Sequence, residues 1–108
     1  MSEMKEKQPD FKRAQEVMPP CYILDERVSV RCSVKSQGES MLRFTITNNQ
    51  PESVISREIW QKRGNREPQL KCDGTLQTSD RIEVEPGDIV FYRLDGEMFK
   101  TVIHPTGV

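Results

Sequence analysis

The sequence predicts an all-β domain of about seven short strands, a sandwich or a small barrel, and three observations lead there. Apolar and polar residues alternate at period two over 28–34 and 42–47, the pattern of strands with one dry and one wet face. Clusters of turn-forming residues punctuate the chain at 36–40, 48–51, 73–74, 85–88 and 95–96. Beyond residue 18 nothing reads convincingly as a helix.

Taken in order, residues 1–18 read as a flexible N-terminal tail and 19–108 as the folded domain. In the tail, lysines and arginines balance acidic residues and apolar side chains are sparse, which favours a disordered leader. The alternative is a short amphipathic helix docked on the domain, because Phe11, Ala14, Val17 and Met18 are spaced i, i+3, i+6 and i+7. Pro19-Pro20 ends any helix and starts an extended segment. Val28, Val30, Cys32 and Val34 alternate with Ser29, Arg31 and Ser33, and Leu42, Phe44 and Ile46 with Arg43, Thr45 and Thr47. A third strand over Val54–Trp60 carries apolar residues on both faces, so both of its faces are expected to be covered. A polar loop around Gly64-Asn65 leads to a short strand at Leu70 and Cys72 that Asp73-Gly74 closes, and Ile82 and Val84 mark another. Ile89–Leu94 and Met98–Ile103 flank Asp95-Gly96, the strongest short hairpin signal, because both turn positions need positive φ.

The 108 residues suffice for one domain, and Lys plus Arg at 16 nearly cancel Asp plus Glu at 17. No global field therefore draws the chain to a polyanion. No apolar run approaches the ~20 residues of a membrane span, and the N-terminus is too polar for a signal peptide. Cys21, Cys32 and Cys72 are odd in number with no CxxC pair, which points to a reducing compartment, cytoplasmic or alternatively nuclear.

The order of features resembles the major sperm protein domain, an immunoglobulin-like sandwich related to the PapD chaperone fold. The residues concerned are Pro19-Pro20, the strand Leu42-Arg-Phe-Thr-Ile-Thr-Asn-Asn49 followed by Val54, and Cys72-Asp-Gly74-Thr-Leu76, all between residues 19 and 86. The resemblance implies an immunoglobulin-like β-sandwich. The family's aromatic-Lys-x-Lys-Thr segment, part of a basic groove for acidic peptides, is replaced here by Ser56-Arg-Glu-Ile-Trp-Gln-Lys62, so that activity does not carry over.

Little in the chain speaks for catalysis. His104, the only histidine, stands beside a proline with no nucleophile near it in sequence. Three cysteines without metal-ligand spacing make a poor zinc site, and a cysteine on an apolar face packs as a small hydrophobe. No phosphate-binding glycine loop or serine elbow occurs. No enzyme, metal or cofactor is expected. What remains is divided charge. Arg57, Lys62, Arg63, Arg66 and Lys71 outnumber Glu58 and Glu67 over 57–71. Over 80–97, Asp80, Glu83, Glu85, Asp88, Asp95 and Glu97 outnumber Arg81 and Arg93. The expected role is a non-enzymatic protein-binding module or scaffold subunit acting through a sandwich edge and a basic loop. Its partner site is Arg57, Trp60, Lys62, Arg63 and Arg66, and its partner another protein or an acidic peptide segment. Complementary patches also permit self-association. The alternatives are single-stranded RNA binding with Trp60 as a stacking platform, and a protease inhibitor presenting loop 61–69.

Overall fold

A computed structural model describes residues 9–34 and 42–105. The chain forms β1 (Gln15–Glu16), β2 (Cys21–Ile23), β3 (Val28–Val34), β4 (Leu42–Asn48), β5 (Ile55–Lys62), β6 (Gln69–Leu76), β7 (Ser79–Val84), β8 (Ile89–Leu94) and β9 (Glu97–Val102). They make a five-stranded sheet, β1-β9-β8-β5-β6, and a four-stranded sheet, β2-β3-β4-β7. The expected all-β sandwich is the observed architecture. The additions to the strands read from the sequence are β1 and β2, too short to leave a periodic signal.

Alternation places the core between the sheets. Val28, Val30, Leu42, Phe44, Ile46 and Val84 come from the four-stranded sheet, and Ile55, Ile59, Leu76, Val90, Tyr92, Leu94 and Phe99 from the other. The ring centroids of Phe44 and Tyr92 lie 5.4 Å apart across the interior. Tyr92 brings a hydroxyl into this core, and it is hydrogen-bonded to Thr101 Oγ1 at 2.9 Å, as a buried polar group requires. Cys21, Cys32 and Cys72 are free thiols packed against the core, in keeping with their reading as small hydrophobes.

Residues 9–18 are part of the fold, which corrects the flexible-tail reading for that segment; residues 1–8 lie outside the described residues. Asp10 accepts a hydrogen bond from the Lys12 amide at 3.2 Å and caps one 3-10 turn, Phe11–Arg13. β1 then pairs parallel with β9, and the Val17 amide donates to the Lys100 carbonyl at 2.9 Å. The reason is aromatic contact. Phe11 sits edge-on to Trp60 at 5.6 Å and against Phe91 at 4.6 Å, on the outer face of the five-stranded sheet. A phenylalanine in a charged leader is enough to dock it when two aromatic rings wait on the surface.

The terminal hairpin forms as expected, with Asp95 and Gly96 at φ 47° and 87°. The cluster at 36–40 lies outside the described residues. Asp73-Gly74 does not close a strand. β6 runs through it to Leu76, because Gly74 takes φ +107° and the Arg57 guanidinium donates to the Asp73 carbonyl. An alanine Cβ at Gly74 would meet Arg57 Nη1 at 3.5 Å and would carry the strain of that φ.

Candidate functional site

The sandwich has two lateral sides. Along one, β1 and β2 are joined by Val17 to Pro20, with Pro19 buried. Along the other, β6 and β7 end their sheets with edges that pair with no further strand among the described residues, and a groove of about 550 Å³ opens between them. Arg63, Arg66, Lys71 and Arg81 line it together with Glu67 and Glu83. Cys72 and Ile82, both packed on the core, form its apolar floor. The pairing of β5 with β6 steps from Ile59–Cys72 to Trp60–Leu70, so Lys71 is the extra residue of a bulge on the groove's edge strand. Bulges of this kind twist an edge and re-aim a side chain.

The groove carries charge and little nucleophilic chemistry. Burial pushes the Cys72 thiol up despite the nearby Arg57 cation, so it remains protonated and unreactive at neutral pH. Among the described residues no group of three or more His, Cys, Asp or Glu side chains is placed to hold a metal ion. Arg66 and Lys71 make no ion pair with any described residue.

Of the five residues expected at the partner site, the structure brings Arg63 and Arg66 to the groove and sends the other three elsewhere. Trp60 is 6% exposed, because Phe11 covers it; an exposed stacking platform at Trp60 is therefore corrected. Arg57 reaches across the gap between the sheets to Asp80, with Nη2 to Oδ1 at 3.2 Å. Lys62 donates to the Gly64 carbonyl at 2.6 Å. Arg63 itself is half-engaged, its Nε and Nη2 donating to the two carboxylate oxygens of Asp88 at 3.0 and 2.9 Å.

Asp88 is the residue sequence reasoning misplaced. The charge count over 80–97 treats it as one acidic residue among six, yet it is 1% exposed. Burial alone would raise its pKa. The Arg63 guanidinium, the Glu85 amide and the Gln61 side-chain amide outweigh that and hold the carboxyl below its ordinary range. The signal was present in the Glu85-Pro86-Gly87-Asp88 turn, where an aspartate can fold back on the amide three residues earlier.

The acidic stretch is thus largely consumed by internal pairs. Arg57 takes Asp80, Arg63 takes Glu85 and Asp88, and Arg27 takes Asp95 at 3.6 Å. No described helix is long and apolar enough to cross a membrane. Compared with known proteins, the chain matches no family model, no curated protein and no solved structure.

Proposed function

We propose that this chain is a non-enzymatic protein-binding module, an immunoglobulin-like sandwich whose open β6/β7 side takes an acidic peptide segment of another protein. The carrying observation is the groove itself: two strand edges that pair with no further strand among the described residues, an apolar floor, and Arg66 and Lys71 without an ion pair among those residues, beside Arg81 and an Arg63 already held by Asp88 and Glu85. Free edges offer backbone hydrogen bonds to an extended segment, while the Arg66 and Lys71 charges select for acidic side chains. The immunoglobulin-like reading draws support from the strand order, in which β4 pairs β7 and β5 pairs β8 through connections that cross between sheets. The free thiols fit a reducing, cytoplasmic setting. A second copy of the chain is a weaker partner, since so few of the acidic charges remain unpaired.

A labelled Glu-rich peptide tests this reading. Binding should weaken as salt rises, and Arg66→Glu combined with Lys71→Glu should lower affinity about tenfold or more and flatten the salt dependence. Equal binding by that variant rejects the groove as the contact surface.

A further inference from the structure

The outer face of the four-stranded sheet carries cations of its own that have no ion pair among the described residues. By register its outward rows run Tyr22, Ser29, Thr47, Ser79, then Arg31, Thr45, Arg81, then Ser33, Arg43, Glu83. Arg31 and Arg81 flank Thr45 on neighbouring strands, about 10 Å apart across two strand spacings. Arg43 lies diagonal to both, about 7–8 Å away. None of the three makes an ion pair with a described residue, whereas Arg57, Arg63 and Arg93 of the other sheet each hold a carboxylate. Glu83 is the one acidic residue among these described rows. Three guanidiniums so placed repel one another, and an anion laid across them relieves that repulsion. Hydroxyls stand between them, and Tyr22 at the sheet edge is 67% exposed, presenting a ring to solvent.

We propose that this face binds single-stranded nucleic acid, with Arg31, Arg43 and Arg81 on phosphates and Tyr22 stacked on a base. The planar fork of arginine matches phosphate oxygens in pairs. A positive surface joined to an aromatic plane is how proteins hold single strands without reading their sequence. An anionic bilayer matches less well, because the rows are hydroxyls where an inserting face needs apolar side chains. The face shares Arg81 and Glu83 with the rim of the groove, but Arg31 and Arg43 are not among the groove's lining residues, so a variant at those two tests the face apart from it.

Fluorescence anisotropy with a labelled oligouridine tests the assignment on the full chain. The wild type should bind, and three phosphate contacts predict about a twentyfold loss of affinity between about 50 and about 200 mM salt. Arg31→Ala with Arg43→Ala should weaken binding at least about tenfold and cut the salt slope to about a third. Tyr22→Ala should weaken it about tenfold with the slope unchanged, the loss of one stacked base, and this exposed edge position serves if the arginine variant fails to fold. Arg66→Glu with Lys71→Glu should change RNA binding by no more than about twofold, which separates this face from the groove. A dissociation constant weaker than about 100 μM at physiological salt, the weak end of non-specific binding, overturns the proposal. So does unchanged binding by both face variants, or capture by phosphatidylserine vesicles without binding to RNA.

Discussion

The two sheets present outer faces of opposite character. On the five-stranded sheet Trp60 and Phe91 are each 6% exposed, although they point away from the core, because Phe11 is folded over them. Beside them Arg93 is ion-paired with Glu58 on the adjacent strand. On the four-stranded sheet nothing described covers the outer face, and Arg31, Arg43 and Arg81 have no carboxylate partner among the described residues. One face satisfies its side chains internally, and the other leaves them for something else. On the proposed reading, structure and binding are thereby divided between two surfaces of one small sandwich. Three variants bear on that division.

The largest effect is expected at Asp88, the most deeply buried member of the paired side. Removing its carboxylate takes one of the two acceptors of the Gln61 amide, leaves the Glu85 N–H without its partner and releases Arg63. Asp88→Ala should therefore cost roughly 3 kcal/mol in denaturant unfolding. The sign with pH follows from the depressed carboxyl. In the unfolded chain Asp88 titrates near its ordinary 3.8, and in the fold it titrates lower. Its contribution is present above the unfolded value and is lost as pH falls through it toward the folded one. The stability of the wild type should fall more steeply with acid than that of the variant. Parallel curves would mean that Asp88 is not ionised against Arg63.

A smaller effect is expected at Phe11. Phe11→Ala leaves the core intact but uncovers Trp60, and half-buried aromatic contact is worth about 2 kcal/mol here. Trp60 is the only tryptophan, so its emission reports the cover directly. The variant should shift that emission to longer wavelength while remaining folded. An unshifted spectrum would erase the difference between the two faces, because Trp60 would then be wet in the wild type as well.

These residues also show what the sequence can carry. β3, β4, β7 and the β8–β9 hairpin were legible because alternation and turn chemistry are local and each strand has one dry face. β1, β2 and the docking of Phe11 were not, since two or three residues make no period and the decisive contacts are with Trp60 and Phe91, far along the chain. Leu24, Asp25 and Glu26 all adopt positive φ, a turn that no side-chain preference announces in leucine or glutamate. The candidate site was half legible. Counting charges along 57–71 found Arg63 and Arg66, but a count cannot tell a cation held by Asp80 or Asp88 from a free one. It also passed over Arg31, Arg43 and Arg81, which are far apart in sequence and adjacent only through the register of three strands.

The smallest expected effect is the most informative about the bare face. If Arg31 and Arg81 were structural, replacing them with glutamine would resemble the loss of a paired arginine. Both are exposed, both lie beside Thr45, and neither has a carboxylate partner among the described residues, so little holding energy is lost. Their mutual repulsion, and that with Arg43, is lost as well. Arg31→Gln with Arg81→Gln should therefore change unfolding free energy by less than about 0.5 kcal/mol, with a stabilising sign favoured at low salt, where repulsion is least screened. Raising the salt should bring the two proteins together, because the term that separates them is an unscreened repulsion between exposed charges. A destabilisation comparable to that of Asp88→Ala would show that these arginines hold the sheet, and the division between a self-satisfied face and an open one would fail.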